Sequence, residues 1–136
     1  MIIDAIKRAY KQLEERNWNK IYWAIDIHGT CLENNYTSGE FLLINDDVIK
    51  TLKVIQSLPE SVLIMWTSAY TKELISLYSF FLSHGVEFNH LGSNPDVANT
   101  KTGYFENKFY FSILLDDKAG FNPETDWKII HTYLTT

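Results

Sequence analysis

The segment Ile21-Tyr22-Trp23-Ala24-Ile25-Asp26-Ile27-His28-Gly29-Thr30 decides how the chain is read. Five apolar residues run without a break and stop at a carboxylate. A short, continuous apolar run suits a strand buried on both faces of a parallel sheet. Asp26 ends it, and Gly29 marks a turn. The same form recurs twice downstream. Val62-Leu63-Ile64-Met65-Trp66 leads into Thr67-Ser68, and the run Phe109–Leu115 leads into Asp116-Asp117.

Helical spacing fills the intervals. Ile2, Ile3, Ile6, Tyr10 and Leu13 share one face of a helix over residues 2–17. Val48, Ile49, Leu52 and Ile55 do the same over 47–57, with Asn45 or Asp46 as cap and Pro59 as stop. Leu74, Leu77, Tyr78 and Phe81 mark a helix over 70–83, with His84-Gly85 as its exit. Residues 86–91 read as a short third strand and 123–134 as a last helix. Residues 31–44 read as a loop or small hairpin, and 92–107 as a loop. This alternation predicts an α/β fold. It is a three-layer α/β/α sandwich around a mostly parallel, Rossmann-like sheet, with an extra N-terminal helix.

With 136 residues the chain is expected to form one domain, residues 1–19 being the helix and 20–136 the core. Hydrophobic residues make up 46% and charged residues 21%, which excludes intrinsic disorder. No apolar run approaches the roughly 20 residues of a membrane span. One cysteine, Cys31, excludes an intrachain disulfide and fits a reducing compartment. Met1-Ile2-Ile3-Asp4 shows no basic segment ahead of a long apolar one, so a cytoplasmic location is expected. The net charge of −5 argues against broad nucleic-acid affinity.

In a parallel sheet the three strand ends fall on one edge, where ligands bind. Asp26, the hydroxyls of Thr67 and Ser68, and the pair Asp116-Asp117 then converge on one crevice. Each piece alone has a plain explanation as a turn, a helix cap or a solvated acid. Together, each directly after a buried run, they point to a site. Acids packed together repel unless a cation lies among them, and hard oxygen ligands suit Mg2+. Such an ion in a crevice with hydroxyls is suited to holding a phosphoryl group. His84, His90 and His131 have no metal-site spacing. Cys31 has no partner pattern for a thiol nucleophile, and no phosphate-binding glycine loop is present.

These segments resemble the motifs of the haloacid dehalogenase-like (HAD-like) hydrolase superfamily over residues 20–134. Its first motif, a buried strand followed by Asp-x-Asp-Gly-Thr, is matched by Asp26-Ile27-His28-Gly29-Thr30. Its second is a strand ending in Thr or Ser, here Thr67-Ser68. Its fourth is a strand ending in paired acids, here Asp116-Asp117 before Lys118-Ala119. The resemblance implies a Mg2+-dependent phosphohydrolase with Asp26 as nucleophile, forming an aspartyl-phosphate. It implies that Thr67 hydrogen-bonds a phosphoryl oxygen, with Ser68 beside it, and that Gly29 and Thr30 shape the turn at the substrate. The metal ligands it implies are Asp26, the backbone carbonyl of His28, and Asp117, with Asp116 acting through water or anchoring a lysine. For the phosphate lysine it offers Lys108, with Lys101 as the alternative.

His28 departs from the family pattern, which carries a second Asp there as general acid. Imidazole titrates near neutrality and can carry protons, but beside Mg2+ its charged form is unfavourable. The rival reading is therefore a HAD-like domain that has lost turnover and serves in binding or regulation. A phospho-accepting receiver domain fits less well, because its acidic pair lies on the first strand. The intervals 30–62 and 68–108 leave no room for a cap domain. By resemblance the crevice is open, as suits a large substrate such as a phosphorylated polymer end or protein, or closure by a second copy in a homo-oligomer. The partner expected is a phosphorylated substrate, either a small molecule or an exposed polymer end. Tyr36, Phe41, Tyr104 and Phe105 lie in loops that flank it or complete the core.

Overall fold

The first apolar run forms the centre of the molecule. The computed structural model describes residues 1–34, 39–105 and 108–136. Strand β1 (Ile21–Asp26) pairs on one side with β2 (Ser61–Trp66) and on the other with β4 (Ile113–Leu115), and β3 (His90–Leu91) pairs with β2. All three pairings are parallel, in the order β3-β2-β1-β4. Trp23, Ala24 and Ile25 are fully buried, as are Ile64 and Met65 in β2. The two unbroken apolar runs are thus the two inner strands.

Helices α1 (Ile2–Glu15), α2 (Asp47–Ser57), α3 (Thr71–Ser83) and α4 (Asp126–Thr135) flank the sheet, giving a Rossmann-like three-layer α/β/α sandwich. The stripes expected from sequence supply the core. Ile6 of α1, Val48, Leu52 and Ile55 of α2, Leu77 and Phe81 of α3, and Trp127 and Ile130 of α4 join one cluster with the strands. Residues 31–33 and 42–44 pair loosely beside the β1 end, through Glu33 N to Leu42 O and Ile44 N to Cys31 O. No helix of the described residues is long and apolar enough to cross a membrane.

Three boundaries differ from expectation by three residues or more. The third strand spans only His90–Leu91, not 86–91. Upstream, the Asn89 side chain accepts the Leu63 N–H at 2.8 Å where a strand carbonyl would stand. Val86 and Phe88 are buried all the same. The fourth strand spans Ile113–Leu115, not 109–115. At its start the Ser112 hydroxyl accepts the Tyr22 N–H at 2.9 Å. Phe109 and Phe111 instead pack edge-on against Trp66, at 5.1 and 5.7 Å between ring centres. Helix α4 begins at Asp126, not 123, because Asn122 O accepts the N–H groups of Thr125 and Asp126 in a preceding turn.

Candidate active site

β1 and β4 run parallel with Ile25 opposite Leu115, so their next residues, Asp26 and Asp116, leave the sheet side by side. One oxygen from each of Asp26, Asp116 and Asp117 lies within 4.8 Å of the others. Asp116 opens a 3-10 turn, Asp117–Ala119, in which its Oδ1 accepts the Lys118 N–H at 2.9 Å.

Thr30 ties the two strand ends together. It is fully buried. Its Oγ1 lies 2.8 Å from Asp26 Oδ2 and 3.1 Å from Asp117 Oδ1, and it accepts the Asp117 N–H at 2.9 Å. A hydroxyl has one proton, so the two carboxylates share one donor. Behind it, Trp127 Nε1 donates to Thr30 O at 2.8 Å, and the Thr51 hydroxyl donates to Trp127 O at 2.7 Å. The turn is thereby fixed to α4 and α2. Gly29 has φ +89°, and a Cβ there would stand 2.8 Å from Asp117 Oδ2. Only glycine leaves the acid in place. Gly29 and Thr30, expected at the substrate, therefore stand behind the acids as their support.

Burial pushes the Asp26 carboxyl up to about 6; the Thr30 hydrogen bond opposes this, and the charges of Asp116 and Asp117 reinforce it. Cys31 is fully buried, its thiol pushed well up by burial, and its Sγ donates to Asp26 O at 3.4 Å. A thiol so placed is inert as a nucleophile.

The acids open onto a crevice of about 410 Å3 lined by Asp26, His28, Thr67, Ser68, Asp116 and Lys118, with Trp66 and Phe109 as its aromatic wall. Thr67 Oγ1 accepts the Ala69 N–H at 3.3 Å and keeps its proton for donation. His28 Nε2 lies 2.7 Å from Glu73 Oε1 in the first turn of α3.

The structure thus brings Asp26, His28, Thr67, Ser68 and Asp116 to one crevice, with Asp117 in the acid cluster behind it. It leaves both expected lysines aside. Lys108 and Lys101 are exposed, and neither lines the crevice. Lys118 does. Its signal in the sequence was its place directly after the acidic pair. Glu73 was also missed. Its signal was the start of a helix just past a strand end, where first-turn side chains meet the ligand edge of the sheet. Among the flanking aromatics, Phe41 packs on Phe80 at 5.5 Å, Phe105 on Tyr110 at 5.9 Å, and Tyr104 is exposed. Tyr36 lies outside the described residues.

No protein-family model matches the chain, and no curated protein matches it. Among solved structures, a conserved protein from Bacteroides thetaiotaomicron is similar, with 24% identity over 86% of this chain and 91% of that one, at a TM-score of 0.66. At that identity the likeness shows a shared fold, and the fold is the Rossmann-like α/β sandwich described above.

Proposed function

We propose that the chain is a HAD-like, Mg2+-dependent phosphohydrolase acting on phosphate monoesters, with Asp26 as nucleophile. One observation carries the reading. Three carboxylates meet within 4.8 Å at the ends of two adjacent parallel strands, and two of them, Asp26 and Asp116, line a crevice with Thr67, Ser68 and Lys118. Burial and then this crowding raise the Asp26 carboxyl, and the crowding favours a hard cation over empty solvent. Asp26, Asp116 and Asp117, with the His28 carbonyl, would hold it. When bound, Mg2+ neutralises the cluster and polarises a phosphoryl oxygen.

The chain's own residues supply the rest. An Asp26 carboxylate oxygen bonds to phosphorus as the ester P–O bond breaks. Thr67 and Ser68 donate to phosphoryl oxygens, and Lys118 balances their charge. The leaving oxygen takes a proton from the His28–Glu73 pair, in the position the resemblance gives to an acid. Water then adds to phosphorus and passes a proton back to that pair. The bond to Asp26 breaks, releasing inorganic phosphate and restoring the carboxylate.

A second reading, a binding domain without turnover, is favoured by one contact. His28 is turned onto Glu73 at 2.7 Å, in place of the carboxylic acid that family phosphatases carry. Hydrolysis of an activated aryl phosphate with Mg2+, by wild type and Asp26→Asn, tests both. Turnover that is lost in the variant supports the phosphohydrolase. Turnover unchanged in the variant removes Asp26 as nucleophile, and none in either moves the function to binding.

A further inference from the structure

A second cavity, of about 490 Å3, also has His28 in its wall. Its walls include Phe41, Tyr70, Lys72 and Glu73, and His28 belongs to both spaces. The shared imidazole makes this lobe the space next to the crevice, towards which a group bonded to a phosphoryl oxygen would extend. Within the lobe, Phe41 is held edge-on against Phe80 at 5.5 Å. Tyr70 is different. It is 88% exposed, although it directly precedes α3 and its carbonyl accepts the Leu74 N–H at 3.0 Å. Its backbone is fixed while its ring lies open to solvent. A lone exposed aromatic needs no explanation. One on a fixed backbone, in the wall of a cavity that shares a residue with a phosphoryl site, is a stacking platform in the right place. Lys72 and Glu73 give the same lobe polar groups for the edge of a ring.

We propose that this lobe is the leaving-group subsite, and that it takes phosphate monoesters whose alcohol carries a planar ring, stacked on Tyr70. The inference rests on the phosphohydrolase reading for its phosphoryl end. Aryl phosphates and nucleoside monophosphates share the chemistry. They differ in whether the ring sits on the ester oxygen or across a sugar.

The test uses the full chain carrying Asp26→Asn, which leaves esters intact, with Mg2+ present. Calorimetric titration with adenosine monophosphate, phenyl phosphate and glycerol phosphate is compared with and without Tyr70→Ala. The exposed position of Tyr70 means its loss leaves the fold intact. Either ring ester should bind about tenfold more tightly than glycerol phosphate, and Tyr70→Ala should remove that margin without changing glycerol phosphate binding. Tighter adenosine monophosphate places the ring across a sugar; tighter phenyl phosphate places it on the ester oxygen. Equal binding of all three, no binding of any, or a margin that survives Tyr70→Ala overturns the subsite. The two readings fail separately. Asp26-dependent hydrolysis by the wild type with no ring preference overturns the subsite alone. Ring-selective, Tyr70-dependent binding with no hydrolysis by the wild type overturns the phosphohydrolase alone.

Discussion

The two sides of the crevice are built differently. On the acid side, Asp26 and Asp116 are carried by neighbouring buried strands, and Thr30 clamps Asp26 and Asp117 from a fully buried position. Trp127 and Thr51 bolt that clamp to two helices. On the other side, residues 92–105 and 108–112 lie outside the strands, and rings replace a ladder. At the crevice Trp66 meets Phe109 and Phe111; away from it, near the start of β1, Tyr110 meets Trp18, Tyr22 and Phe105. Backbone pairing fixes a side chain's place to within a register step, whereas edge-on rings fix a surface. The acid side therefore sets individual carboxylates, and Trp66 and Phe109 shape the space in front of them.

The comparison breaks first at Trp127. Trp127→Ala removes a fully buried indole and the donor to Thr30 O. It should cost about 3–5 kcal/mol by chemical denaturation. The matching change on the other side, Phe109→Ala, removes a partly exposed ring of the crevice wall and should cost less than about 1.5 kcal/mol. Comparable losses would mean that the two sides are equally built into the core.

Next comes Gly29→Ala. The strained φ and the contact with Asp117 predict a loss of about 1–3 kcal/mol. They also predict weaker Mg2+ binding, read as a smaller rise in Tm with added metal. A Tm loss with the metal response unchanged would show that Asp117 is not a ligand.

Asp26 gives a smaller effect of opposite sign. Its carboxyl is raised to about 6 in the fold, against 3.8 ordinarily. Between those values the folded chain holds a proton that the unfolded chain has lost, so this group's contribution falls as pH rises through 4 to 6. Above pH 6 the ionised group weakens the fold. Asp26→Asn should therefore raise Tm at pH 7.5 in the absence of metal, and the gain should shrink as pH falls through 6 towards 4. A gain that is constant with pH would place its cause elsewhere.

The smallest contrast lies among the lysines. Lys118→Ala should lower kcat/KM for an aryl phosphate about tenfold, and Lys108→Ala should leave it unchanged, both with native Tm. The reverse order would restore Lys108 as the phosphate lysine.

The same contrast separates what was legible in the sequence from what was not. Continuous apolar runs signal burial on both faces. They located β1 and β2 within a residue and, with the parallel rule, brought Asp26, Thr67 and Asp116 to one edge. Helix α2 was legible to its boundaries, because its stripe, cap region and Pro59 agree. Apolar pattern reports burial, not hydrogen bonding, so Phe109 and Phe111 read as strand although their rings serve Trp66. Asn89 and Ser112 supply ladder bonds from side chains, which no periodicity carries. The places of Lys118 at the crevice and of Glu73 against His28 became visible only with the fold in place.

Asp26 is the proposed acceptor of the phosphoryl group. The most direct test is to mix the wild type with an activated aryl phosphate and Mg2+, quench in acid during turnover, and locate any phosphoryl adduct by peptide mass spectrometry. The account predicts an adduct on the peptide containing Asp26, absent without Mg2+ and absent in Asp26→Asn. Turnover with no adduct on Asp26, or with an adduct on another residue, would contradict it.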